Sequence, residues 1–239
     1  MRRFLARKND NKLIIDGGEH NHLKNVLRLL EGDKIVCIIN DDFDYHCKIL
    51  KIEKNETICE MIKKEKNPAN PKRKVTVFQA LTKKDNMHLI VQKLNELGVS
   101  NLHPFESEFT TVKDKNNKQD KLQEVSFQSS KQCGRSMSMK VEKTLSFKNM
   151  IAILNNFEIV IFANEKEGFN TLHSIYDTIC SKDNIALIVG SEGGFSANEI
   201  CELEKCKNLK SISLGKRILR AETASIAVST LVLSAVGEI

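Results

Sequence analysis

Tryptophan is absent from the 239 residues, proline occurs three times and tyrosine twice. No stretch approaches the roughly 18 consecutive apolar residues that a membrane-spanning helix needs, which excludes an integral helical membrane protein. The start, Met1-Arg2-Arg3-Phe4-Leu5-Ala6-Arg7, carries charge with no apolar segment behind it, so no secretory signal is expected. The seven cysteines (37, 47, 59, 133, 180, 201, 206) include no Cys-x-x-Cys pair. An odd count without that spacing argues against a disulfide framework and against a zinc finger, and predicts a reducing, cytoplasmic setting. His20, His22 and His46 lack acidic or thiol companions at ligand spacing, so no metal site is expected.

A large surplus of one charge is missing too: 37 basic and 31 acidic residues leave a formal charge of +6. The surplus is unevenly placed. Residues 1–66 carry 14 basic and 12 acidic side chains, residues 67–150 carry 15 and 8, and residues 151–239 carry 8 and 11. A basic tip (Arg2, Arg3, Arg7, Lys8) and a basic middle third beside an acidic last third suit a polyanion docking on one part of the molecule. The lysines of 113–121, mixed with Asn and Asp, read equally well as a solvated surface.

Two of the three prolines, Pro68 and Pro71, fall in Asn-Pro-Ala-Asn-Pro, which disfavours helix and cannot join a central strand. It marks a linker over 67–72 between domains at 1–66 and 73–239. Before it, Ile35–Ile39, Tyr45–Ile52 and Thr57–Ile62 read as strands. Leu23, Val26, Leu27 and Leu30 share one helical face, with Gly32 as the stop. Short strands with one helix predict a small β-barrel. After the linker, Val75–Leu81, Val99–Pro104, Val141–Leu145, Ile159–Ala163, Ile185–Gly190 and Ser211–Leu214 read as strands. Helical segments lie between most of them, including one with Met87, Ile90, Val91, Leu94 and Leu97 on one face and Gly98 at its end. That alternation predicts an α/β domain with a mostly parallel sheet, whose ligands bind beyond the carboxyl ends of the strands. The loops after Ala163, Gly190 and Leu214 therefore become the candidate site.

The loop Gly190-Ser191-Glu192-Gly193-Gly194-Phe195 places three glycines after a buried strand. The Ser196-Ala197-Asn198-Glu199 that follows fits a helix capping box. Such glycines let the backbone approach a ligand, although no Gly-Lys-Ser/Thr makes it a P-loop and no G-x-G-x-x-G makes it a dinucleotide fingerprint. A tight strand-to-helix turn is the plainer alternative. The next strand ends in Leu214-Gly215-Lys216-Arg217-Ile218-Leu219-Arg220, followed by a helix rich in small residues. One glycine-rich and one aliphatic loop on successive strands suit the flat base and thioether end of a nucleoside cofactor.

Val189-Gly190-Ser191-Glu192-Gly193-Gly194-Phe195 together with Leu214-Gly215-x-Arg217-Ile218-Leu219-Arg220-x-Glu222-Thr223-Ala224 resembles the SPOUT-class 16S ribosomal RNA uridine N3-methyltransferases. Arg2-Arg3-Phe4, His22-Leu23-x-x-Val26-Leu27-Arg28, Gln92-Lys93-x-x-Glu96-Leu97-Gly98-Val99 and Gln132-x-Gly134-Arg135 extend the likeness along nearly the whole chain. The resemblance implies a PUA-like N-terminal barrel and a trefoil-knotted C-terminal domain. It also implies S-adenosylmethionine as cofactor, a homodimer, and 16S ribosomal RNA or the small ribosomal subunit as partner. The sequence departs from the family pattern in three places: Ser191 replaces the usual proline, Lys131-Gln132-Cys133 replaces Glu-Gln-Ser, and Phe109 stands where an arginine is expected after Glu108.

On this basis Gly190, Ser191, Gly193, Gly194, Leu214, Gly215, Arg217, Ile218 and Leu219 are expected to line the cofactor pocket. Arg220 or Arg135 would stabilise negative charge on a uracil oxygen, and Glu192 or Glu222 would accept the N3 proton. An ion pair with a neighbouring arginine is the alternative for each acid, and Lys93 and Glu96, one turn apart, are placed to pair with each other. Arg2, Arg3, Arg7, Arg28, Lys83 and Lys84 would hold RNA phosphates. Competing readings are a related knotted methyltransferase with another target atom and a catalytically silent RNA-binding assembly factor.

Overall fold

The computed structural model describes residues 1–10, 12–113, 119–168 and 170–239. They fall into two units, one of residues 1–70 and 127–138, the other of residues 71–126 and 139–239.

In the N-terminal unit β1 (Arg3–Leu5), β2 (Arg7–Asn9), β3 (Lys12–Asp16), β4 (Lys34–Ile38), β5 (Phe43–Ile52) and β6 (Glu56–Lys66) form one sheet, in the order β1-β4-β5-β6-β3-β2. β1 runs parallel to β4 and every other pair is antiparallel. The end strands β1 and β2 are separated in sequence by Ala6 alone, so the sheet must curl until its two ends meet. Phe4, Ile15, Leu23, Ile35, Cys37 and Ile49 fill the interior.

The expected helix over Leu23–Leu30 is different in the structure. Helix α1 (Gly17–Asn21) starts earlier and passes into a wide π-helical turn over His22–Val26 that ends at Leu27. Arg28 then takes a left-handed φ of 50°, which an α-helix cannot continue through. Of the four apolar positions only Leu23 is buried; Val26 and Leu30 are 66% and 70% exposed. Segment 127–138 docks on the barrel side. Asn67 donates to the Gly134 carbonyl at 2.8 Å, and Ser138 donates to Asn40 Oδ1 at 2.9 Å through both its amide and its hydroxyl. Lys131, one of the departures from the family pattern, pairs with Glu19 at 2.5 Å.

The C-terminal unit holds β7 (Lys74–Ala80), β8 (Asn101–Glu106), β9 (Lys140–Val141), β10 (Leu145–Ser146), β11 (Ile159–Ala163), β12 (Asn184–Val189) and β13 (Leu209–Ile212). All pairs are parallel, in the order β10-β8-β7-β12-β11-β13 with β9 beside β8. The expected strand over 141–145 is thus two short strands. Alternation sorts the side chains onto two cores. Val75, Val77, Ile159, Ile161, Ile185 and Leu187 face one side. Phe78, Ala80, Val160, Phe162, Ala186 and Ile188 face the other. The first side is covered by α2 (Lys84–Leu97), the start of α3 (Gln119–Cys133) and, later in the chain, two further helices; the second is covered first by α4 (Phe147–Ile153). Next come α5 (Tyr176–Cys180) on the first side, α6 (Ala197–Glu204) on the second and α7 (Ala221–Ala235) on the first. Helix α2 ends as its sequence predicts: Gly98 at φ 107° caps it, with the Val99 amide donating to the Leu94 carbonyl at 3.0 Å. Among the described residues no helix is long and apolar enough to cross a membrane.

Candidate active site

Adjacent parallel strands β11, β12 and β13 send their following loops to the same end of the sheet, where they surround a cavity of about 310 Å³. Ala163–Lys166 form one wall, Val189–Glu192 with Gly194 and Phe195 a second, and Ser213–Ala221 a third.

The second wall depends on its glycines. A Cβ at Gly190 would lie 2.8 Å from Cε2 of Phe195, so only a residue without one fits against that ring. Gln79, buried on β7, donates to the Gly190 carbonyl at 3.1 Å and to the Ala80 carbonyl at 3.0 Å, which ties the loop to the centre of the sheet. Gly194, at φ 66°, turns the chain back so that its amide reaches the Ser191 carbonyl at 3.0 Å. Ser196 then caps α6, accepting from the Glu199 amide at 3.3 Å while Glu199 accepts from the Ser196 amide at 3.0 Å.

The cavity carries charges of both signs: Glu165 and Glu192 against Lys166, Lys216, Arg217 and Arg220. Arg220 is the N-cap of α7, its carbonyl accepting from the Ala224 amide at 2.8 Å, and its side chain is exposed. Glu192 accepts from Asn86 at 3.4 Å, which brings the first turn of α2 beside the glycine loop. Ile218 is 84% exposed, an apolar side chain on the cavity wall with no cover of its own.

Gly190, Ser191, Gly194, Leu214, Gly215, Arg217, Ile218 and Leu219 line this cavity, and Glu192 and Arg220 join them. Gly193 does not: a Cβ there would lie 2.8 Å from Cβ of Phe109 and 3.1 Å from its carbonyl oxygen, so this glycine accommodates a neighbouring turn. Glu222 sits in the first turn of α7 outside the lining, one carboxylate oxygen buried without a hydrogen-bond partner among the described residues. Arg135 belongs to the N-terminal unit, where burial pulls its guanidinium pKa down to about 10, still high enough to keep its charge at neutral pH. Sequence reasoning pointed to the loop after Ala163 but not to Glu165 and Lys166 within it, and it missed Gln79, whose anchoring role depends on a contact 111 residues away.

The expected phosphate-binding cations divide. Arg3 is held in a two-pronged ion pair with Asp44 at 2.5 and 2.7 Å. Burial alone would raise the Asp44 pKa, yet the Arg3 guanidinium and the Asn67 amide hold it below the usual carboxylate value. Arg7 pairs with Asp16 at 2.9 Å and with Glu56 at 3.0 Å. Arg2, Arg28, Lys83 and Lys84 are exposed and make no ion pair among the described residues. Lys93 and Glu96 do pair, at 2.9 Å. His20 hydrogen-bonds Thr57 at 2.8 Å and His46 meets Glu65 at 2.6 Å; no three potential metal ligands cluster among the described residues. Of the lysines of 113–121, residues 114–118 lie outside the described residues.

The chain matches the model of the RNA methyltransferase domain over residues 68–233 and that of the RNA methyltransferase PUA domain over residues 15–62. It is 30% identical over 230 residues to ribosomal RNA small subunit methyltransferase E of Mesomycoplasma hyopneumoniae, covering 95% of this chain and 96% of that protein. The protein of the same name from Bacillus subtilis is 28% identical over 220 residues, 89% of this chain and 86% of its own length. The crystal structure of ribosomal RNA small subunit methyltransferase E from Neisseria gonorrhoeae, bound to S-adenosyl methionine, superposes with a TM-score of 0.84 at 24% identity over 98% of this chain and 97% of that one. With these matches spanning both units, the chain belongs to the RNA methyltransferase family, among the ribosomal RNA small subunit methyltransferase E proteins.

Proposed function

We propose that this protein methylates N3 of a uridine in 16S ribosomal RNA of the small subunit, with S-adenosylmethionine as the methyl donor. The observation that carries the reading is the glycine-walled cavity at the carboxyl ends of β11, β12 and β13 in a chain of this family. Its volume of about 310 Å³ falls in the range of small-molecule sites. Gly190 and Gly194 put bare backbone on the cavity wall, and Leu214, Leu219 and Ala224 add the apolar surface a purine needs. The cofactor supplies an electrophilic methyl group on a cationic sulfur.

The protein's own residues then have three tasks. Gly190, Ser191, Gly194, Leu214, Gly215, Arg217, Ile218 and Leu219 hold the donor and fix its direction, and alignment with exclusion of water supplies much of the rate. Uracil N3 carries a proton and attacks only as it is lost, so a base and a counter-charge are needed. We assign Glu192 as proton acceptor and Arg220 as the cation that stabilises charge on a uracil oxygen, since both line the cavity and Glu222 does not. Arg2, Arg28, Lys83 and Lys84 take phosphates and set position rather than sequence. The domains at 1–66 and 73–239, the trefoil knot and the homodimer follow from the resemblance, and the bare Ile218 on the cavity wall is apolar surface that a second copy would cover. The setting is the cytoplasm.

The test is transfer of labelled methyl from S-adenosylmethionine to small subunits of a strain lacking the gene, followed by nucleoside mass spectrometry. N3-methyluridine is the expected product. Label on a ribose or another base, or no transfer, overturns the reading.

A further inference from the structure

Phe109 is 46% exposed and has no aromatic neighbour among the described residues, whereas six other phenylalanines pack ring against ring in the second core of the sheet. Exposure alone means little for a single side chain. What sets Phe109 apart is how firmly its backbone is placed. Ser107 and Thr110 close a turn around it: the Thr110 amide donates to the Ser107 carbonyl at 3.1 Å and the Ser107 amide to Thr110 Oγ1 at 3.0 Å. The adjacent Glu108 amide donates to Glu199 Oε1 at 2.8 Å, and Glu199 is itself locked in the capping box of α6. The turn lies so close to the glycine loop that Gly193 has no room for a Cβ. Gly193 is flanked by Glu192 and Gly194, both of which line the cavity. An unpartnered aromatic ring is thus carried on a triply fixed turn beside the methyl-transfer site.

The surroundings are cationic and notched. Val112 and Lys113, just beyond the turn, line a second cavity of about 220 Å³ with Lys84, His88, Lys121 and the apolar Leu81, Met87 and Leu122, three lysines against the single carboxylate of Glu142. A polyanion whose flat groups are splayed from its backbone matches this combination of ring, notch and ammonium groups.

We propose that Phe109 is the platform on which a base of the substrate RNA stacks beside the cavity, with Lys84 and Lys113 receiving the flanking phosphates. The proposal rests on the methyltransferase reading and adds to it a substrate-binding residue that takes no part in holding the donor.

The absence of tryptophan makes the test direct, because Phe109→Trp introduces the protein's one indole fluorophore. Its emission should be quenched saturably by 16S ribosomal RNA and left unchanged by S-adenosylmethionine alone. Phe109→Ala keeps the Cβ that meets Gly193 and removes only the ring. It should lower kcat/KM for RNA by about tenfold or more, since one base–aromatic stack is lost, with the affinity for S-adenosylmethionine unchanged. Phe109→Tyr should retain activity. Full kcat/KM in Phe109→Ala, or no quenching at saturating RNA, overturns the proposal. If the wild-type protein transfers no methyl group to RNA but the indole is still quenched, the platform stands and the methyltransferase reading fails.

Discussion

Gly190→Ala probes the site where the structure leaves least room. The new Cβ would sit 2.8 Å from Cε2 and 3.2 Å from Cδ2 of Phe195, with Gly194 Cα at 3.4 Å. Ordinary contact requires the ring to retreat by about 0.6 Å. It has little freedom to do so. Phe195 is buried edge-on against Phe162 at 5.0 Å and stacked on Phe105 at 6.2 Å, and close-packed interiors resist such shifts. Overpacking of this kind costs about 1–3 kcal/mol. For a chain of this size that lowers Tm by about 2–12 °C in scanning calorimetry. Because Gly190 and Phe195 both line the cavity, calorimetric titration with S-adenosylmethionine should show weaker binding in the same variant. Phe195→Leu removes the colliding ring atoms, so the double variant should be less destabilised than the sum of the singles, a coupling of about 0.5 kcal/mol or more. A Gly190→Ala protein with wild-type Tm and wild-type affinity, or strict additivity in the double variant, would refute the steric reasoning.

Arg220→Ala should leave Tm within about 2 °C of wild type, since the side chain is exposed. It should also lower the rate of methyl transfer by about 100-fold, the scale of losing one charge-stabilising donor; full activity would remove Arg220 from the site. Asp44→Asn separates the Arg3 ion pair. The folded-state pKa of Asp44 lies below its unfolded value, so its contribution to stability is present above about pH 4 and disappears as pH falls through the folded value. Urea unfolding should therefore show wild type ahead of the variant at pH 7 and the gap closing towards pH 3; a gap independent of pH contradicts the assignment. Glu199→Ala opens the capping box and frees the Glu108 amide together. It should cost about 1–3 kcal/mol and raise KM for RNA more than the affinity for S-adenosylmethionine falls; an unchanged KM for RNA would show that the turn carrying Phe109 stays in place without it.

Much of the C-terminal fold was legible because its strands obey simple physics. Continuous apolar runs such as Ile185–Val189 mark strands buried on both faces, and the cores show why both faces needed apolar residues. The glycine loop and the capping box were readable for the same reason: each is local, and its chemistry needs certain residue types at fixed spacing. Local spacing failed where the deciding partner was distant. Leu23 to Leu30 has helical spacing, yet Arg28 leaves the helical region and two of the four apolar side chains stay in solvent. Gly193 looks like its neighbours in sequence and differs because the Cβ and carbonyl oxygen of Phe109 pass over it.

The charge pattern shows the same division and changes what the basic tip means. Four cations near the start invited a phosphate-binding role as a group. Arg3 spends its charge on Asp44, 41 residues away and itself mostly buried, and Arg7 spends its charge on Asp16 and Glu56. A guanidinium held by two carboxylate oxygens has few donors left for a phosphate, so the net charge of residues 1–66 overstates what they offer RNA. Of the cations expected to hold phosphates, Arg2 and Arg28 on that unit and Lys83 and Lys84 on the other make no ion pair among the described residues. Each phosphate neutralised releases counterions and steepens the dependence of binding on salt. Removing one of these four should therefore flatten that dependence, whereas removing Arg3 or Arg7 should weaken the barrel and leave the salt slope as it was.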